Sequence, residues 1–242
     1  MLKGNMIGLV GFAGAGKDTV AEHIVAKYGF FQMSFAKKLK EIVSTAFDVP
    51  LHFFEDRELK NAIHPSLHYS TLDRKFQSGC SFVEYLVPML MELYDKDEAE
   101  IRDLRWAEIA AAGFYQLLPD DGCSPRRAAQ LVGTKLFREQ ICQTTWLDYL
   151  ERHARLILLS GGNVVVSDLR FPDEVQVIHR LSGTNWYVNR AVVENHDHVS
   201  EKHILALRSE CDFELLNVGT IDTLKFNVDS VYEGRFKQSL AA

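Results

Sequence analysis

Gly11-Phe12-Ala13-Gly14-Ala15-Gly16-Lys17 is the stretch on which the fold of this chain turns. It fits G-x-x-x-x-G-K, and its flanks are the ones that pattern requires. Ahead of it, Met6-Ile7-Gly8-Leu9-Val10 is apolar without alternation, which predicts a short strand buried on both faces. Behind it, Val20, Ile24 and Tyr28 recur every four residues, which predicts a helix with one apolar face. Between a strand and a helix, such a segment reads as a phosphate-binding loop (P-loop). Glycines let the backbone curl until its N–H groups face phosphate oxygens, and the helix N-terminus adds a partial positive charge. A plain glycine-rich turn would need neither the lysine nor this spacing. Lys17 acts as a movable point charge for the outer phosphates of a nucleoside triphosphate. The candidate ATP-binding set is therefore Gly11, Ala13, Gly14, Ala15, Gly16, Lys17, Asp18 and Thr19. Asp18 stands where a magnesium-binding Ser or Thr usually follows the lysine. It either orients a metal-bound water or meets an acceptor phosphate, or it is a first-turn acid that complements the helix dipole.

Outward from this stretch, strand and helix patterns alternate. A strand is expected over Phe30–Ser34 and a helix from Phe35 to Ala46, stopped near Pro50. Residues 51–80 read as polar and irregular, followed by helices near 81–94 and 97–112. Ser124-Pro125 looks like a cap with proline at the first helical position, and another helix covers 145–159. Strands at Asn163–Ser167, Trp186–Val188 and Phe213–Leu216 then alternate with helices over Asp173–Leu181 and 220–232. The pattern predicts a three-layer α/β fold of the P-loop NTP hydrolase type, with a central parallel sheet of about five strands. One domain spans 1–242, and a helical insertion over about 50–145 forms a substrate-binding arm and lid.

Bulk composition sets the outer bounds. The 242 residues are 47% hydrophobic and 25% charged, enough for a sizeable core. A net charge of −6 argues against a nucleic-acid scaffold but not against an anionic substrate, for which local cationic clusters matter more. Cys80, Cys123, Cys142 and Cys211 are scattered, as expected of reduced thiols in a cytoplasmic protein. No run of about 18 apolar residues suggests a membrane span.

A second candidate cluster follows the Val164–Ser167 strand. Asp168 is placed at the carboxyl end of a buried parallel strand, where open α/β sheets bind ligands. It is the candidate magnesium site, through water, or a hydrogen-bond acceptor for the substrate. Arg170 would neutralise the transferring phosphate, and Glu174 either pairs with Arg170 or occupies the first turn of the next helix. Trp146 is either a base-stacking platform or a core residue, and Arg190 is a candidate for cation–π contact with the donor adenine. His196, His198 and His203 cluster without the spacing of a zinc site.

With these segments in hand, the chain resembles the deoxynucleoside monophosphate kinases of tailed bacteriophages. The resemblance is carried by Gly11–Thr19 including the unusual Asp18, by Arg126-Arg127 with Gln130-Leu131-Val132-Gly133-Thr134, and by Asp168-Leu169-Arg170-Phe171-Pro172-Asp173-Glu174. His198-Val199-Ser200-Glu201 and the ending Asp212…Leu216-Asn217-x-Gly219 add to it, while about 59–120 is unmatched in detail. It implies ATP with magnesium as donor, a deoxynucleoside monophosphate as acceptor, host cytoplasm as location, and a homodimer. It implies that Arg57 and Arg126 hold the acceptor phosphate, that Arg127, with Arg138 nearby, stabilises charge during transfer, and that Asn217 lines the adenine edge. The expected catalytic set is Lys17, Asp18, Arg127, Asp168 and Arg170; the acceptor set is Arg57, Arg126, Trp146 and Glu174. The rivals are another P-loop small-molecule kinase, similar to dephospho-coenzyme A kinase, and a non-catalytic nucleotide switch.

Overall fold

The computed structural model describes residues 2–190 and 204–236. Five strands form one parallel sheet in the order β2-β3-β1-β4-β5. They are β1 (Met6–Val10), β2 (Phe30–Met33), β3 (Asn163–Leu169), β4 (Thr184–Asn189) and β5 (Phe213–Leu216). All five residues of β1 are buried, as an apolar run without alternation should be at the middle of a covered parallel sheet. Register runs Ile7↔Val165 on one side of β1 and Leu9↔Trp186 on the other.

By their contacts the residues fall into two compact units, Met1–Phe35 with Leu150–Ala242, and Ala36–Tyr149. The first unit holds the sheet, helix α1 (Lys17–Tyr28), α10 (Pro172–Arg180) and the last long helix, α11 (Ile221–Val231). Its core joins Ile7, Leu9, Val165, Trp186, Val188 and Leu215 of the strands to Val20, Ile24, Leu224 and Val228 of α1 and α11. At the far end of α1, Asp229 of α11 accepts hydrogen bonds from His23 and Tyr28, at 2.8 and 2.7 Å, and pairs with Lys27.

The second unit is helical. It contains α2 (Phe35–Phe47) almost whole, α3 (His52–Glu55), a 3-10 turn at Leu59–Asn61, α4 (Tyr69–Phe76), α5 (Gly79–Tyr94), α6 (Glu98–Asp103), α7 (Trp106–Leu117) and α8 (Pro125–Gln130). A π-helical stretch, Leu131–Ile141, continues α8; α9 (Thr145–Leu159) begins in this unit and belongs to the first from Leu150 onward. This unit is wider than the 50–145 segment of the sequence pattern, because α2 packs within it: a Cβ on Gly133 would collide with Leu39. Phe82 and Phe114 meet edge to face at its centre, with Phe47 and Phe76 against them.

Three expectations are corrected. The helix expected over 97–112 is two helices, broken where Arg105 takes a left-handed conformation at φ 55°, and Trp106 beyond the break packs on Tyr94. The irregular 51–80 segment holds α3, α4 and the 3-10 turn, each too short for apolar periodicity to reveal. Strand β3 runs on to Leu169, so Asp168 lies inside its last turn of pleat and not after it. Between the pairs Gly8↔Val166 and Val10↔Leu169, β3 carries one residue more than β1, a bulge that bends the strand end beside the loop.

The cap predicted at Ser124 is present: its Oγ accepts a hydrogen bond from the Arg127 N–H at 3.2 Å. Ser124→Ala is expected to cost about 1 kcal/mol of stability, the usual value of such a cap, read as a lowered urea midpoint with unchanged slope. An unchanged midpoint would show that α8 does not depend on its cap.

Candidate active site

The P-loop leaves the central strand and closes on the first turn of α1. Gly14 and Gly16 sit at φ 76° and 101°, left-handed conformations that turn the peptide groups out of any regular ladder. Lys17 folds back over the loop, its ammonium donating to the carbonyls of Gly11 at 2.6 Å and Phe12 at 2.9 Å. The Ala15 N–H also donates to the Phe12 carbonyl, at 3.1 Å, closing the turn. Ala15 is buried in the core and anchors the loop, whereas Ala13, Gly14 and Asp18 are exposed and Lys17 and Thr19 half-buried. A concave strand-to-helix loop with a cation at its centre and a helix N-terminus behind it is suited to a polyphosphate.

One strand away, Asp168 has a precise pair of partners. Its Oδ2 accepts from the Ser34 hydroxyl at 2.7 Å, and its Oδ1 from the backbone N–H of Phe35 at 2.9 Å. It therefore caps the first residue of α2 and fixes the chain where the first unit ends. Ser34 was not singled out by sequence, although a serine ahead of a helical pattern is a readable cap signal; which acid it pairs with is a tertiary fact.

Arg170 is exposed at the turn that follows β3. Glu174 does not meet its guanidinium. Only 6% exposed, Glu174 turns its Oε2 onto the backbone N–H groups of Arg170 at 2.7 Å and Phe171 at 3.2 Å. It clasps the Arg170–Phe171 turn from within, from the first turn of α10, one of the two places expected for it.

On the donor side, Arg190 follows β4 and gives Nη1 to the Gly14 carbonyl at 3.1 Å. Asn217, at the end of β5, gives Nδ2 to the Ala15 carbonyl at 2.8 Å. Both residues expected at the adenine thus touch the P-loop itself.

The remaining candidates belong to the helical unit. Arg57 is exposed on the turn between α3 and the 3-10 segment. That turn is held by Asp56, whose Oδ1 accepts from the N–H groups of Glu58 at 2.8 Å and Leu59 at 2.9 Å; these bonds keep its carboxyl below the usual range. Both α3 and the 3-10 turn pack on α8, whose first turn exposes Arg126 and Arg127. The His64 N–H bonds to the Cys123 carbonyl at 3.0 Å and ties the two segments just ahead of that turn. The structure thereby brings Arg57 into the neighbourhood of Arg126 and Arg127, across about seventy residues of chain. Arg138 lies further along the π-helical stretch and its Nε reaches the Gln143 carbonyl.

Trp146 is the core alternative of the two readings. Its ring is 7% exposed and lies 5.1 Å from that of Phe137, and its Nε1 donates to the Gly133 carbonyl at 3.0 Å. An indole so enclosed, with its N–H already bonded, has little surface left for stacking on a base, and it supports the Gln130–Thr134 segment instead. His196, His198, Glu201 and His203 lie outside the described residues.

Comparison with known proteins covers both clusters. Residues 5–228 match the family model described as deoxynucleotide monophosphate kinase. The deoxynucleoside-5'-monophosphate kinase of Escherichia phage T5 is 30% identical over 193 residues, which is 73% of this chain and 72% of that protein. A protein of Acanthamoeba polyphaga mimivirus, provisionally named a deoxynucleotide monophosphate kinase, is 26% identical over 227 residues and 90% of each chain.

The Glu174 clasp makes this region sensitive to pH. Burial above all, then the neighbouring carboxylates of Asp168 and Asp173, push its carboxyl up to about 8 against the pull of the two N–H donors. Between the ordinary value of 4.5 and about 8, the folded chain then holds a proton that the unfolded chain has released. Stability from this group should fall as pH rises through that window and level off above it, by on the order of a few kcal/mol in all. Glu174→Gln is expected to flatten the melting temperature between pH 5 and 8.5. Superimposable profiles for the two proteins would show that Glu174 is ionised throughout.

Proposed function

The chain belongs to the deoxynucleotide monophosphate kinase family, and on that premise we propose that it moves the γ-phosphoryl group of ATP onto the 5'-phosphate of a deoxynucleoside monophosphate, giving ADP and a deoxynucleoside diphosphate. The chain is a kinase, and a nucleoside triphosphate is its donor. The observation that carries the reading is Lys17, held on the Gly11 and Phe12 carbonyls within the family match over residues 5–228.

Transfer is direct and in line. The oxygen of the acceptor phosphate is already anionic near neutral pH, so it needs no strong general base. What has to be overcome is the repulsion between two polyanions as they approach. Lys17 and the loop N–H groups take the β- and γ-phosphates, and Thr19 reaches the α-phosphate. Asp18, exposed in the first turn of α1, orients water at the outer phosphates. Arg170 neutralises the transferring group, and Glu174 fixes the backbone that carries it. Arg57 and Arg126 hold the acceptor phosphate, and Arg127 offsets the charge that builds during transfer.

Magnesium fits this site as a companion of the nucleotide. No group of three His, Cys, Asp or Glu side chains poised for a metal occurs among the described residues, and Mg²⁺ typically uses one or two carboxylates, waters and substrate phosphates. Asp168, an acid near the end of β3 and partly open to solvent, is the group that would hold it through water. When bound it would supply positive charge that offsets the charge of the donor's phosphates. No helix of the described residues is long and apolar enough to cross a membrane, and a host-cytoplasm location accords with the phage relative.

An ADP-release assay with ATP across dAMP, dGMP, dCMP, dTMP and their ribonucleotides tests the reading. Turnover is expected with at least one deoxynucleotide, and its absence with all would remove the acceptor assignment. Lys17→Ala should lower kcat by at least about a hundredfold, as removal of a charge-stabilising donor does, in a chain that still folds cooperatively with a melting temperature lowered modestly by the two carbonyls left without their donor. Near-normal turnover in that variant would defeat the mechanism. Arg57→Ala should raise the acceptor KM about tenfold or more with kcat little changed, whereas Arg127→Ala should mainly lower kcat. The reverse split would exchange their roles.

A further inference from the structure

The Ala15–Gly16 peptide of the P-loop is held from outside by one side chain. Asn217 gives its Nδ2 to the Ala15 carbonyl at 2.8 Å, and it is itself rigidly placed. Its own N–H donates to the carbonyl of Asn189, the last residue of β4, at 2.8 Å. The preceding carbonyl, of Leu216, accepts from Asn227 Nδ2 of α11, also at 2.8 Å. The contact with the loop is tight: a Cβ on Gly16 would lie 2.7 Å from Asn217 Nδ2. Gly16 thus needs to be glycine twice, for its φ of 101° and to admit this amide.

In a planar trans peptide the C=O and the following N–H point in opposite directions. Holding the Ala15 carbonyl outward on Asn217 therefore aims the Gly16 N–H the other way. That N–H opens α1 at a residue with no side-chain cap of its own. Arg190 holds the adjacent Gly14 carbonyl from the end of β4, so two consecutive loop carbonyls are pinned by residues at two neighbouring strand ends.

We propose that Asn217 is a positioning residue for the phosphate-binding loop, and that it governs affinity for the triphosphate and not for the adenine. This rests on the kinase reading only in taking the loop as the donor's phosphate site. Asn217 contributes an amide donor of fixed direction. An aspartate of the same shape would present an acceptor to the Ala15 carbonyl and add negative charge beside the phosphates.

The test is direct binding to the full chain, with ATP, GTP and inorganic tripolyphosphate as probes, for the wild type, Asn217→Ala and Asn217→Asp. Melting temperatures verify that each variant is folded. Loss of one positioning hydrogen bond predicts Kd for ATP raised roughly three- to tenfold in Asn217→Ala, and more in Asn217→Asp. Tripolyphosphate should weaken by the same factor as ATP, the ATP-to-GTP ratio should stay fixed, and the acceptor KM should not move. If ATP weakens while tripolyphosphate does not, Asn217 reads the base and the proposal is overturned. It is also overturned if Asn217→Asp, the isosteric variant, lowers the melting temperature but binds ATP as the wild type does. A wild-type chain that binds neither ATP nor tripolyphosphate would bring down the kinase reading itself, a result plainly different from an unaffected variant.

Discussion

Backbone polar groups in a left-handed loop have no ladder to join, and the way this chain satisfies them organises the first unit. Gly14 and Gly16 take positive φ, and the carbonyls of Gly11, Phe12, Gly14 and Ala15 each accept from a side chain. Buried carbonyls without a partner are costly, so donors have to be brought to those of the buried Gly11, Phe12 and Ala15, whereas Gly14 is exposed. Lys17 serves Gly11 and Phe12 from within the loop, while Arg190 and Asn217 serve Gly14 and Ala15 from the ends of β4 and β5. The strand order places β4 next to β1 and β5 beyond it, which is why residues some 175 and 200 positions away in the chain can reach the loop.

The same economy of partners explains the two acids after β3. Asp168 and Glu174 are both carboxylates, and both spend hydrogen bonds on backbone N–H groups: Asp168 on Phe35, Glu174 on Arg170 and Phe171. Their surroundings separate them. Asp168 is partly open to solvent, whereas Glu174 is enclosed and raised towards its neutral form. One sits partly open at the end of β3, and the other holds the turn that carries Arg170.

In the helical unit, cations are carried on short elements whose geometry comes from caps. Asp56 folds the turn of Arg57, Ser124 opens the helix of Arg126 and Arg127, and the His64–Cys123 bond sets the two segments side by side. Trp146 contributes from below, through the Gly133 carbonyl. Exposed guanidinium groups on tightly defined backbones suit the binding of phosphate, since the charge is mobile while its attachment is not.

Much of the fold was legible in the residues alone. Five apolar strand segments, the P-loop between the first strand and helix, and the Ser124-Pro125 cap are local signals, and each depends on neighbours within a few positions. The candidate residues for phosphate chemistry were legible for the same reason, since Gly11–Thr19 and Asp168–Arg170 are contiguous stretches. Helix breaks and short helices were not. Arg105 takes φ 55° at the break between α6 and α7, with Trp106 beyond it packed on Tyr94, and α3 and α4 are too brief to show a period. Partners were the other blind spot. Residue types alone place an acid at 174, a tryptophan at 146 and an asparagine at 217; only the folded chain decides that the acid is enclosed, the indole N–H is used and the amide grips the P-loop. Those outcomes depend on which elements meet, a long-range property that no window of sequence contains.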